Sequence, residues 1–288
     1  MSPIRTIAAP LFAASLTLVS PALGQQSTGT ALLGGGSFQH GELVDQQFNG
    51  GSGGNFGITI SGIRFLGRDP ATRIEEVASV VAFDTNIFQS TGVESSDPDL
   101  QFSTNEEEGE GPRVGWAGGN VPANTDLGTV LIIQENDEID PATGLFTDPD
   151  DAADGGEYIF TFDEAFTYRE ISILSADLDE GTVDQYSIRF SGIGIDGTLV
   201  TQERSLGELV AEAGIVIDPG NAHINDFGTF NISEFDELVA AGVDRLTEAR
   251  YIISAESGGA GLFTFTIPEP STALLGLIGA AALLRRRR

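Results

Sequence analysis

The chain has 288 residues, 43 of them acidic and 14 basic, every basic one an arginine, for a formal net charge of −29. That balance excludes nucleic acid and anionic membrane surfaces as partners, and favours divalent cations or a salty medium that screens self-repulsion. The absence of cysteine excludes disulfides, thiol nucleophiles and cysteine zinc sites, so an exported domain must be held by its core, by bound metal or by both.

Arg5, an apolar run from Ile7 to Val19, and Pro21 followed by Ala22-Leu23-Gly24 have the order of a secretion signal: positive start, short apolar core, small residues where a signal peptidase cuts. Cleavage after Gly24 leaves Gln25 as the new N-terminus, so residues 1–24 stand apart from the fold. Residues 25–55 are small, polar and glycine-rich and read as a loose lead-in, with Phe38, Val44 and Phe48 as its core contributors.

Strand signals then follow in quick succession. Phe56, Ile58 and Ile60 alternate; Val77 to Phe83 and Thr129 to Gln134 are continuous apolar runs suited to buried strands. Tyr158, Phe160 and Phe162 alternate, as do Ile171 and Ile173, then Tyr186, Ile188 and Phe190. Short strands are predicted at Leu199–Thr201, Ile215–Ile217, Phe227–Ile232, Tyr251–Ser254 and Leu262–Ile267. A helix is predicted from an N-cap at Ser233, with Phe235, Leu238 and Val239 on its inner face, and a shorter helical turn at Leu206–Ala213. Many strands without alternating full-length helices predict a mostly β protein, an antiparallel jelly-roll or Greek-key sandwich with one or two short helices, spanning residues 25–267 as a single domain.

Acidic residues gather where strands begin or end. Asp84 follows Phe83, and Asp97 and Asp99 come shortly after. Glu135 closes the Thr129–Gln134 run; Asp148, Asp150, Asp151 and Asp154 precede the strand at Glu157; Asp177 and Asp179 follow the strand that begins near Tyr168. Calcium takes six to eight oxygens at about 2.3–2.6 Å, so carboxylates converging from several loops suit it, and these ten are the candidate ligands. None of the runs has EF-hand spacing: six positions on from Asp148, counting it as the first, stands Ala153, and the twelfth from Asp150 is Thr161. The competing reading is turn-forming Asp with charge for solubility.

Catalytic signatures are sparse. His40 and His223 are the only histidines and have no metal-ligand spacing, so both read as turn or surface residues. The Gly50–Gly54 run spells Gly-x-Ser-x-Gly around Ser52, but no helix pattern follows it, so a nucleophile elbow is not indicated, and it lacks the lysine of a phosphate loop. The expectation is therefore a non-enzyme; the alternative is a secreted polysaccharide hydrolase using paired carboxylates. Trp116, the single tryptophan, lies in a glycine-rich stretch with Arg113 and Asn120 nearby, and reads either as a lid on the core or as a platform for a sugar ring.

The tail is the most specific segment. Pro268-Glu269-Pro270 and Ser271-Thr272 precede Ala273–Leu284, which has no polar side chain, and four arginines end the chain. As a helix the apolar part spans about 20 Å of a ~30 Å hydrocarbon core, and the arginines favour the cytoplasmic side. This order over residues 268–288 resembles the PEP-CTERM sorting signal. The resemblance implies an exosortase-type membrane enzyme as partner, transient anchoring in the membrane through the short helix, and delivery to the cell-envelope surface or exterior in association with exopolysaccharide. Phe83-Asp84-Thr85, Asp97-Pro98-Asp99-Leu100, Leu131–Glu135 and the Asp150–Phe162 stretch also look like a β-domain of secreted bacterial surface proteins, covering residues 38–200, with no activity attached to it.

Overall fold

Alternation of large apolar with polar or small side chains builds one face of most strands in this protein, and where alternation fails both faces of the strand are covered. A computed structural model describes residues 30–33, 38–44, 49–50, 54–55, 57–85, 100, 127–164, 166–176, 185–215, 224–254 and 258–266. The protein is mostly β, with antiparallel sheets. In chain order come β1 (Thr30–Leu33), the two-residue pair β2 (Asn49–Gly50) and β3 (Gly54–Asn55), β4 (Ile58–Leu66), β5 (Ile74–Ala78), β6 (Val80–Asp84) and β7 (Thr129–Ile133). They are followed by β8 (Gly155–Phe162), β9 (Glu170–Ala176), β10 (Tyr186–Ile193), β11 (Leu199–Ser205), helix α1 (Leu206–Ala213) and β12 (Ile224–Asn231). A 3₁₀ turn (Ile232–Glu234), helix α2 (Asp236–Ala240), β13 (Leu246–Ser254) and β14 (Gly259–Thr266) complete the order.

Two six-stranded sheets carry the core. One runs β12-β9-β14-β7-β6 with β1 added on β14; the other runs β11-β10-β13-β8-β4-β5. Inward residues of the second sheet, Tyr158, Phe160 and Phe162 on β8 and Tyr186, Ile188 and Phe190 on β10, are buried. They meet β14 of the first sheet: Phe263 lies 4.5 Å from Phe160, edge to face, and 5.6 Å from Tyr158, while Phe265 lies 5.2 Å from Phe160. Tyr158 is able to enter this core because its hydroxyl donates to the Leu131 carbonyl at 2.9 Å, and burial pushes its pKa up.

β7 is buried along its whole length because its other face holds a second apolar cluster: Val81, Phe83, Val130 and Ile132 pack with Leu100 and Phe146. That explains why Val130-Leu131-Ile132-Ile133 reads as an unbroken apolar run.

Several expectations change. Val77–Phe83 is not one strand: β5 pairs with β4 at the edge of one sheet, and β6 pairs with β7 in the other. The chain changes sheets at Ser79, whose carbonyl accepts from the Gln134 amide. Val77 is 90% exposed on an open edge beside Glu75 and Glu76, and such charges guard an edge against further pairing. Of the strand predicted at Ile215–Ile217, Ile215 lies outside any strand, just after Gly214 closes α1 in the left-handed conformation (φ 69°), and residues 216–217 lie outside the described residues. The predicted helix at Ser233 is two elements. Asn231, not Ser233, makes the capping box with Glu234 around the 3₁₀ turn, and α2 starts only at Asp236. Phe235 and Leu238 are buried, but Val239 is half-exposed. In the lead-in, Val44 is buried and Phe38 packs against the core as expected, Phe48 lies outside the described residues, and β1, which was not predicted, pairs with β14.

Candidate functional site

The β7–β8 connection, residues 134–154, carries five of the candidate acids, Glu135, Asp148, Asp150, Asp151 and Asp154, and buried Gln134 shapes it. Its side-chain amide donates to the Asp148 carbonyl at 2.9 Å, and its Oε1 accepts from the Asp150 amide at 3.2 Å. The Glu135 amide donates to the Asp150 carbonyl at 2.9 Å, and Ala152 returns a backbone bond to Ile133. Asn136 reaches the same Asp148 carbonyl at 2.8 Å. The connection is thus folded back on the end of β7, bringing Glu135, Asp148 and Asp150 into one electrostatic neighbourhood. Desolvation first, then the negative charges of Glu135 and Asp148, push the Asp150 carboxyl up to about 6. Asp151, next in the chain, is 6% exposed, and its Oδ2 is sealed from solvent. Arg64 of β4 closes the near side, donating to the Glu135 carbonyl and pairing with Glu76 at 2.9 Å.

The edge of the first sheet lies alongside. Residues 41–44 run beside β6, with the Gly41 amide bonded to the Ala82 carbonyl at 2.8 Å, and Phe146 bonds to the Gly41 carbonyl at 2.9 Å. Gly41 has φ +78°, and a Cβ there would sit 2.5 Å from the Phe146 carbonyl oxygen, so glycine is required. His40, just before it, accepts the Asp84 amide hydrogen on Nδ1 at 3.1 Å and sets its ring edge-on to Phe83, 5.0 Å away. Burial lowers its pKa, opposed by the charges of Asp84 and Asp148. Nδ1 acting as an acceptor agrees with a neutral ring. His40 is therefore a half-buried cap on the end of β6 rather than a surface residue, and its electrostatic link to Asp148 ties Asp84 to the edge of the acidic connection.

Asp154 goes elsewhere. Its Oδ2 accepts the Gly67 amide at 2.7 Å and its Oδ1 the Arg68 Nε at 3.3 Å, fastening the β4–β5 hairpin loop. Among the described residues, no three His, Asp or Glu side chains are arranged to hold a metal ion by themselves. Asp97, Asp99, Asp177, Asp179, Trp116, His223, Gly24, Gln25, Pro268, Glu269 and Pro270 lie outside the described residues, and among the described residues no helix is long and apolar enough to cross a membrane.

A second feature lies on the outer face of the other sheet, and the sequence reading missed it. There β10 and β11 pair Ser187 with Ser205 and Arg189 with Glu203. Arg189 grips Glu203 at 2.6 Å and lies 3.6 Å from buried Glu157, which also takes Arg250 at 2.6 Å. Beside this charged ladder the hairpin loop after β4 forms one wall of an open groove of about 620 Å³. Apart from Pro70 the described side chains that line it are of polar residues, with Glu203 the single carboxylate among them. The signal available in the sequence was the outward series Ser187, Arg189, Ser191 on β10, which marks a polar sheet face but not its curvature.

Compared with models of known protein families, with curated proteins and with solved structures, the chain matches none.

Proposed function

We propose that this is an exported, non-catalytic protein of the cell envelope or exterior, sorted through its C-terminal tail, stabilised by calcium and associated with exopolysaccharide. Export and sorting rest on the two end segments. On that reading, protein recovered from the cell surface has an intact mass corresponding to a start at Gln25 and an end close to Pro268-Glu269-Pro270. A mass that retains Met1 or Arg288 removes the corresponding half of the reading.

The observation that supports calcium is the Asp150 carboxyl, held up to about 6 by burial and by Glu135 and Asp148. A cation bound by the Asp150 carboxylate with carbonyls and water relieves that repulsion, Glu135 and Asp148 contributing through their charge rather than as a three-carboxylate cage. The sign follows from linkage. A carboxyl whose folded pKa lies above its unfolded value binds the extra proton in the folded state, so stability falls as pH rises from about 4 to about 6 and stays lower above that. The full difference from the ordinary value corresponds to about 3 kcal/mol, which water at this half-buried position screens to about 1 kcal/mol.

In chelator, Asp150→Asn should therefore melt above the wild type at pH 7–8 and together with it near pH 4. Calcium at a hundred times its Kd adds about 2.7 kcal/mol to the wild type, with magnesium weaker, and adds little to the variant. Equal responses to calcium and to sodium chloride at matched ionic strength would reduce the effect to screening.

The same raised carboxyl beside two acids favours a second reading, a polysaccharide hydrolase with Asp150 as general acid. Release of reducing ends by the wild type, lost in Asp150→Asn, would replace the binding reading with that one.

A further inference from the structure

We propose that the groove on the outer face of the β11-β10-β13-β8-β4-β5 sheet binds a neutral, hydroxyl-rich glycan chain, an assignment that rests on the surface-polysaccharide reading above and gives it a site. The lining chemistry is that of polyol recognition. Ser187 and Ser205 from the floor, Ser254 at the end of β13 and Gln185 just before β10 each both donate and accept hydrogen bonds. Arg68 and Glu203 add planar groups, which suit paired bonds to neighbouring hydroxyls. Pro70 is the one apolar side chain among the described residues of the lining, which suits a polyol better than a lipid tail or an apolar peptide.

Charge separates a neutral chain from an anionic one. Both charged groups of the lining already have counter-charges: Arg68 has Asp154 at 3.3 Å, and Glu203 has Arg189 at 2.6 Å. The groove therefore offers hydrogen bonds with little net charge, on a chain whose net charge of −29 repels polyanions. It is also set in advance. Ser187 Oγ donates to Glu203 Oε1 at 2.7 Å, fixing the carboxylate that Arg189 holds from the other oxygen. The hairpin wall is pinned by the Gly67 amide on Asp154, by the Arg73 amide on the Asp69 carbonyl at 2.8 Å, and by the Arg73 guanidinium stacked 3.5 Å over buried Phe65. Fixed partners reduce the ordering cost of binding a flexible chain. The volume, about 620 Å³, falls within the ~300–1,000 Å³ of small-ligand sites. Among the described residues of the lining Glu203 is the single carboxylate, held at one oxygen by Ser187 and at the other by Arg189, and the assignment is to binding.

The test is affinity electrophoresis of the purified protein through gels containing dextran, galactomannan or xylan, with alginate as the anionic polymer. At least one neutral polymer should retard the wild type and alginate should not. Ser187→Phe, which fills the floor, and Gln185→Ala, which removes a donor and an acceptor, should each weaken retardation about tenfold or more. Ile195→Phe, at the 91% exposed tip of the β10–β11 hairpin, should migrate as the wild type does. Retardation by alginate alone, by no polymer, or unchanged in both groove variants overturns the assignment. If those variants still co-sediment with the cells' own exopolysaccharide as the wild type does, the groove is wrong and the surface reading stands; if the wild type does not co-sediment either, both fall.

Discussion

Phe263→Ala should lower the unfolding free energy by about 3–5 kcal/mol, the range for removing a buried aromatic ring from a packed core. Phe263 is fully buried, 4.5 Å from Phe160, 5.6 Å from Tyr158 and 5.9 Å from Tyr251, so its ring joins strand β14 of one sheet to β8 and β13 of the other. The neighbours are themselves rings fixed by their own contacts, as in the stacking of Tyr251 on Tyr186 at 6.3 Å, and they have little freedom to collapse into the space. The matched control is Val77→Ala. By hydrophobicity Val77 opens a buried strand, yet it is 90% exposed on β5, and its truncation should change stability by less than about 0.5 kcal/mol. Urea melts of the two variants decide the matter: comparable losses would mean that Val77 is covered or that Phe263 is not a core link.

The contrast between those two residues marks how far the sequence could be read. Period-two alternation at Tyr158, Phe160 and Phe162 identified β8 and its inward face, because each of those side chains meets the opposite sheet. Unbroken apolar character identified β7, because loops cover its second face. The same character misled at Val77, since hydrophobicity does not register a change of sheet, and Ser79, where that change occurs, is an unremarkable strand residue in isolation. In the candidate site the sequence placed acids at strand ends but not the buried amide that folds their loop. Gln134 reads as the polar end of an apolar run, and only its bonds to Asp148 and Asp150 reveal it as the pin. Asp154 carries the same signal as Asp150 and holds the hairpin loop instead, a distinction set by where Gly67 and Arg68 fall in three dimensions.

Arg250→Ala should be the most damaging single change to the outer face of the second sheet, at about 3 kcal/mol. Glu157 points to that face from β8, yet it is 2% exposed, between Ile63 and Ile252 on the neighbouring strands. A carboxylate so placed is tolerated because Arg250 donates to it at 2.6 Å, with Arg189 farther off at 3.6 Å. Removing Arg250 leaves the buried charge with the weaker partner alone. Removing the carboxylate in Glu157→Ala should cost less, about 2 kcal/mol, because both arginine heads reach solvent and each keeps another acid, Glu203 for Arg189 and Glu248 for Arg250. The double variant Glu157→Ala/Arg250→Ala should then lose clearly less than the sum of the two, since neither group is left behind without the other. Raising sodium chloride to about 0.5 M should change this coupling little, because the Glu157 carboxylate is buried between Ile63 and Ile252, and a partly buried pair is screened less than a surface one. Additive losses in the cycle, or an Arg250→Ala variant as stable as the wild type, would show that Glu157 finds water or another partner, and the charged ladder would then be no more than surface decoration.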